Sequence, residues 1–473
     1  MNVLSFIYIF LVCFIVITSH KSVEVLYRRF LAVDIAISSQ IEVGYFVRVS
    51  RFDIDYTYLS QFILLLVGIM YCNGKKITKH KLVLFCMTFF IFLTNMILLI
   101  MYPYKKTIIG GVTWDEFILG HAVRTYARFG IGQFMEYLKA FTFLLNAFIF
   151  FICLESLNVE KLILLISKIF KGFILYGVIE AIVNNFLKIS LFGRITSKIT
   201  GTSGYELSQV YLRNGLNCLQ GLTKEPSHYV NALFFTYLIL LCEKKIHGQK
   251  RIWFATIIVL LLLSRAYSSV YIIVTIMFIH YMLEWIKEQK KAILYRIRWV
   301  GIFFTIMIGI LISFRFMKGN YFLWRTTILL KSLGRILYGN WHSLRYIGSS
   351  QIRIISIMES LPILCDRFLI GIGLGTAHLH SAFIMSLISV GAFGFLSWLA
   401  FLFGASSFAN KKIRLIIISS LVLVNIFGSM GNKMLYTSSN FIYLLFGFVY
   451  SRENYYFEIR ELCNEEIACS NRC

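Results

Sequence analysis

Long apolar runs recur along the whole chain, separated by short basic loops and a few longer polar stretches. They fall at 3–18, 56–72, 82–101, 137–154, 162–184, 229–242, 252–264, 268–283, 299–314, 381–403, 415–427 and 435–450. Several are shorter than the roughly 20 residues that cross a bilayer, so their ends are expected to reach into the flanking aromatic residues. The pattern predicts an all-α, polytopic membrane protein with about twelve spans. A multi-span domain then covers 1–450, and 451–473 is a short polar tail. The first run, 3–18, is not followed by a small-residue cleavage site and reads as a retained helix rather than a signal peptide.

Composition agrees. The chain of 473 residues is 58% hydrophobic, with a mean hydropathy of +0.74, above the apolar share of soluble domains. Its formal net charge of +24 is spread over many loops, which argues against a nucleic-acid partner and for a lipid bilayer with anionic headgroups or lipid-linked phosphates. Four short loops are basic: Lys75, Lys76, Lys79 and Lys81; Lys244, Lys245, Lys250 and Arg251; Lys287, Lys290, Lys291, Arg296 and Arg298; Lys411, Lys412 and Arg414. All four fall on one side of a twelve-span arrangement, which the positive-inside rule makes cytoplasmic, with both termini there too. The long segments 19–55, 102–136, 185–228 and 315–380 are then expected on the outer face. The last two are the long basic outward loops. In one, Arg194, Lys198, Arg213 and Lys224 oppose Glu206 and Glu225; in the other, eight lysines and arginines oppose Glu359 and Asp366. Such loops read either as solvated chain touching anionic lipid or as a cradle for pyrophosphate, which guanidinium forks suit. Around Lys331 and Arg335 the mixture of aromatic, aliphatic and basic residues fits a helix lying in the interface or packed on the core.

Three stretches carry candidate chemistry. The segment 349–394 holds Arg353 on a short helix-like run closed by Pro362. A turn with Gly371, Gly373 and Gly375 follows, then His378 and His380 before an apolar helix with Gly391 and Gly394. Upstream, residues 221–229 read G-L-T-K-E-P-S-H-Y, and Leu263-Ser264-Arg265 ends an apolar run. Together these stretches resemble the O-antigen and exopolysaccharide polymerases and ligases of the Wzy and WaaL superfamily. In that superfamily an outward loop carries an arginine, a P…G-x-G turn and a polar residue heading a helix with a G-x-x-G end. The resemblance implies a GT-C-like membrane fold and a metal-independent glycosyltransferase without cofactors. It also implies transfer of a glycan from undecaprenyl pyrophosphate to a lipid-linked repeat unit on the outer face of the bacterial inner membrane. A chain-length regulator and a flippase are the implied protein partners. The E-P-S-H run favours a polymerase; a ligase is the near alternative, and a flippase for the same lipid-linked units is the alternative from another class.

Roles follow from residue chemistry. Arg353, Arg213 and Arg265 are candidates for pyrophosphate, with snorkelling to headgroups the plainer reading of Arg265. His380 is the candidate base because imidazole changes protonation near neutral pH; helix capping is its structural alternative and His378 its rival. Glu225 and His228 flank Pro226, which suits the first turn of a helix, so this run is expected to open a span. Glu225 is a second catalytic candidate and His228 a glycan contact, with a structural cap the alternative. Glu180, inside a span, is a functional candidate by default, with pairing to an arginine of the long loops one option. Cys218 and Cys365, both in outward segments, raise the option of a disulfide, against the plainer reading of two thiols. No metal-binding D-x-D pattern occurs in the two long basic loops, 185–228 and 315–380, and no Walker loop occurs at all.

Overall fold

The computed structural model describes residues 3–41, 46–49, 52–104, 107–109, 124–126, 129–183, 212–213, 216–223, 226–247, 251–264, 266, 268–287, 360–376, 381–404, 411–427 and 434–451. The protein is a helical membrane protein. Its helices are α1 (Val3–Ser19), α2 (Val23–Gln40), α3 (Tyr56–Cys72), α4 (Lys79–Met101), α5 (Ile131–Cys153), α6 (Val159–Ala181), α7 (Pro226–His247), α8 (Arg251–Leu263), α9 (Ser268–Lys287), α10 (Ala382–Gly404), α11 (Lys411–Phe427) and α12 (Asn440–Ser451). Among the described residues, α4, α5, α6 and α10 are long and apolar enough to cross a membrane on their own. Three small antiparallel hairpins, 47–54, 107–126 and 212–217, lie between helices.

Local chemistry sets several helix starts. Ser22 caps α2 by accepting from Val25 N, Asp55 caps α3 by accepting from Tyr58 N at 2.7 Å, and Asn158 caps α6 by accepting from Lys161 N. Pro226 is the first residue of α7, as its position in the sequence motif predicts. The outer helices turn apolar side chains outward: Phe6, Phe10, Phe14 and Ile17 form an exposed stripe on α1. Exposed aromatic and aliphatic side chains on one helical face suit contact with lipid. In contrast α5 is almost wholly enclosed, from Phe143 to Cys153.

Contacts between elements sort the helix ends into two groups. Asn158 N donates to Glu24 Oε1 at 3.3 Å, Lys75 Nζ and Tyr71 Oη bond Ser156, and His80 Nε2 lies 3.3 Å from Gly404 O. The lysines at 75–81 therefore share one end of the bundle with the start of α2 and the end of α10. At the opposite end Ser5 Oγ lies 3.1 Å from Tyr56 Oη and donates to Phe46 O, and Gln133 Nε2 donates to Gly375 O.

One expectation is corrected here. Residues 23–40 of the segment 19–55 do not lie outside the bundle: α2 runs from the basic end back to the opposite end, packed on α3, α6 and α1. Its polar side chains Glu24, Arg28, Arg29 and Asp34 hid it from a hydropathy reading. A helix enclosed by other helices needs no lipid-facing apolar surface, and every residue from Phe30 to Gln40 is buried. With this extra crossing, α1 and α3 begin at the same end, away from Lys75–Lys81. The sequence reading placed the N-terminus with those lysines.

Candidate functional site

The end of the bundle opposite the lysines collects the Gly-rich turn, the end of α4, the start of α5 and the residues just before α12. At its centre α10 is broken. Gly391 has φ 68° and ψ 176°, so the apolar stretch expected as one continuous helix is two half-helices. A break frees backbone groups that no water can satisfy inside a membrane protein. The chain at 368–373 fills it. Ile372 N donates to Ile388 O and Gly373 N to Ser389 O, both at 2.9 Å, while Ala392 N and Phe393 N donate to Phe368 O and Leu369 O at 2.8 and 3.2 Å. Glycine is required on both sides. A Cβ on Gly391 would stand 2.4 Å from Leu369 O, and one on Gly371 2.5 Å from Gly391 N. Both glycines also have positive φ.

Asn95 of α4 holds the joint from the side. Its Nδ2 donates to Ile370 O at 2.5 Å and to Ser389 O at 3.2 Å, and its Oδ1 accepts from Tyr137 Oη, which in turn accepts from Leu374 N. Next to Asn95 lies a cavity of about 200 Å³ with walls from Ile91, Leu98, Leu369, Val390 and Phe393. Pro362 does not close a helical run as expected; it lies inside one, 360–367, that leads into the turn. Burial and then the Asp366 carboxylate, which accepts from Tyr104 Oη at 2.8 Å, push the Tyr104 pKa up to about 12.

Beyond the turn stands a charged cluster. Gly375 packs against Glu136 of α5. Lys139 Nζ lies 3.3 Å from Glu136 Oε1 and 3.4 Å from Asp55 Oδ2, and Tyr436 Oη donates to Glu136 Oε2. Burial first, and then the Glu136 and Asp55 carboxylates, raise the Tyr436 pKa well above its ordinary value, so this hydroxyl remains a donor. Asp55 is the accessible member, with 40% of its side chain exposed. Two carboxylates fixed by a lysine and a phenol can accept hydrogen bonds from sugar hydroxyls or orient an imidazole. The sequence reading missed Asp55, Glu136 and Lys139. Their signal was present: an aspartate ahead of an apolar run, and an acid–base pair three residues apart on one helical turn.

Glu180 holds backbone at the approach to α7. Its two oxygens accept from Gln220 N at 3.1 Å and Gly221 N at 2.9 Å, so it anchors the backbone approaching Pro226. Tyr229 lies against Gly221 and Gly177 and closes this anchor from α7. His228 is half-buried on the first turn of α7. Arg213 lies on the hairpin 212–217. His380, His378, Arg353, Arg265 and Glu225 lie outside the described residues, as do the interfacial segment around Lys331 and Arg335 and the tail from 452. Cys218 is buried and Cys365 exposed, and no disulfide joins them.

The chain matches no protein-family model and no curated protein.

Proposed function

We propose that the protein is a lipid-linked glycan polymerase. It would transfer a saccharide chain from undecaprenyl pyrophosphate to a lipid-linked repeat unit at the end of the bundle opposite Lys75–Lys81, on the outer face of a bacterial inner membrane. The observation that carries the reading is a juxtaposition at that end. The glycine turn leading to His378 and His380 stands beside an apolar cavity on one flank and the Glu136–Lys139–Asp55 cluster on the other. A substrate with a hydrocarbon tail and a hydroxyl-rich head needs both kinds of surface together. Pyrophosphate is a competent leaving group, so fixed guanidiniums such as Arg353 and Arg213 suffice to stabilise its developing charge, and His380 takes the proton of the acceptor hydroxyl. Glu225, His228, His378 and Arg265 line the same reaction in this reading. The basic end then faces the cytoplasm.

The test is complementation of a deletion strain, with surface polysaccharide resolved on a gel and membrane levels of each variant checked. A strain lacking a polymerase carries single repeat units, and the parent gene restores the ladder. His380→Ala is expected to lower polymerisation by about 10²–10⁴-fold, the usual contribution of a positioned acid or base. Arg353→Lys keeps charge but loses the fork, and polymerisation falls as well. Long chains of normal abundance in both variants overturn the assignment.

A second reading, a flippase for the same units, is favoured by one observation. Discontinuous helices such as α10 recur at the substrate sites of secondary transporters. In that case the deletion strain retains lipid-linked units on the cytoplasmic face and shows none on the surface.

A further inference from the structure

The cavity beside Asn95 continues into a second, polar hollow, and the two meet at Asn95 and Leu98. The first has walls of hydrocarbon, from Ile91 and Leu98 of α4, Leu369 of the turn, and Val390 and Phe393 of α10. Asn95 adds no unmet polar group to it, because its Nδ2 and Oδ1 are taken by Ile370 O, Ser389 O and Tyr137 Oη. The second hollow is lined by Tyr102, Tyr104 and Arg367. Arg367 Nη2 reaches Tyr102 O at 3.5 Å, and no ion pair among the described residues involves this guanidinium. Asp366, the acid beside it, accepts from Tyr104 Oη.

Helix α4 sets the depth of both hollows. It is long and apolar enough to cross a membrane. Tyr102, exposed just past its end, stands where aromatic side chains mark the interface. Ile91, the deepest residue that α4 gives the cavity, comes eleven residues before Tyr102, a distance of about 16 Å along the axis. Half the hydrocarbon core of a bilayer is about 15 Å. The cavity thus runs through one leaflet, with Arg367 at its headgroup end. It also borders lipid. Leu369 and Phe393 on its rim are 49% and 56% exposed, and Phe90, Ile97 and Met101 form an exposed apolar stripe beside Thr94 on α4.

A hollow of about 200 Å³ is smaller than the roughly 300–1,000 Å³ that enclose a drug-sized ligand. It takes one hydrocarbon chain, and the second chain of a phospholipid gains nothing there. A guanidinium at the mouth suits a phosphate, whose oxygens it contacts as a fork. We propose that the groove between α4 and α10 seats a single-chain lipid phosphate, with the hydrocarbon in the cavity and the phosphate on Arg367. The inference deepens the glycan-transfer reading and rests on it for what the phosphate carries. Arg367 then joins the groups that hold the lipid-linked substrate.

The test is thermal unfolding of the purified full-length protein in phosphatidylcholine nanodiscs, titrated with farnesyl phosphate, farnesol, palmitate or phosphatidylglycerol. Farnesyl phosphate is expected to raise the melting temperature saturably. Its half-saturating concentration should lie about tenfold or more below those of the other three, as charge-assisted hydrogen bonds to a phosphate commonly provide. Arg367→Gln is expected to raise that concentration by about tenfold and to leave the farnesol response unchanged. Thr94→Phe, which sets a ring into the cavity from an exposed position, is expected to weaken farnesyl phosphate and farnesol alike. Equal half-saturation for farnesyl phosphate and farnesol overturns the phosphate site. Palmitate or phosphatidylglycerol acting as well as farnesyl phosphate overturns the assignment to a single-chain phosphate. So does an Arg367→Gln protein that binds farnesyl phosphate like the parent. If Arg367→Gln fails to fold, Thr94→Phe decides, and unchanged binding there overturns the seat. Transfer takes no part in this assay. Binding as expected, in a protein whose deletion strain keeps normal ladders, sinks the polymerase reading alone; restored ladders without such binding sink the seat alone.

Discussion

Replacing Gly391 by alanine tests the joint at the centre of the candidate site. The substitution has two effects. The backbone at φ 68°, ψ 176° belongs to a region that side chains other than glycine's avoid, and holding alanine there costs about 1–3 kcal/mol. The added methyl group would also stand 2.4 Å from Leu369 O and 2.6 Å from Gly371 N. Both are backbone atoms, so relief comes only by separating the two chains. Separation breaks the four hydrogen bonds that seal the helix break, each with a net value of about 0.5–1.5 kcal/mol. The sum is roughly 3–9 kcal/mol, a large part of the roughly 5–15 kcal/mol that holds a typical fold. The assay is thermal unfolding of purified protein in one detergent, with Gly172→Ala as the control. Gly172 lies within α6 with open space where a Cβ would go, and alanine there is expected to be neutral or stabilising by about 0.5–1 kcal/mol. Gly391→Ala should melt at least about 5 °C below the parent. If it melts within about 1 °C of the parent while Gly172→Ala behaves as stated, the glycine turn does not seal the break and the described joint is wrong.

Three further outcomes follow from the same contacts. Asn95→Ala strands the Tyr137 hydroxyl and strips the carbonyls of Ile370 and Ser389 of a donor, so it should destabilise by about 1–3 kcal/mol or more, and Tyr137→Phe by about 1 kcal/mol, both read as melting temperatures. Glu180→Gln leaves one acceptor oxygen for the two donors Gln220 N and Gly221 N; a loss of about 1.5–3 kcal/mol is expected, with faster proteolysis of the chain before α7. Tyr104 holds its proton more tightly when folded, with a pKa of about 12 against the ordinary 10.0; this stabilisation is complete below pH 10 and lost as pH rises toward 12, so the melting temperature of Tyr104→Phe should fall less than that of the parent over that interval.

The run of apolar segments alone identifies a helical membrane protein. The sequence also located the starts of α3 and α7, the first where its apolar run begins and the second because a proline suits the first turn of a helix. It marked Gly371, Gly373 and Gly375 as a turn, since glycines so closely spaced do not hold a helix. It misread α2, whose charged and small polar residues look like a loop until the neighbouring helices that bury them are present. It read residues 381–403 as one unbroken span, because a single glycine in an apolar run carries no sign of a break. The hydrogen-bonding chain that makes the break tolerable comes from segments apart in sequence: 368–373 fills the gap and Asn95, on α4, braces it. The partners of Glu180 and the surroundings of Glu136 were hidden for the same reason. A side chain's charge is written in the sequence, but what lies within a few ångströms of it is decided only when distant helices pack together.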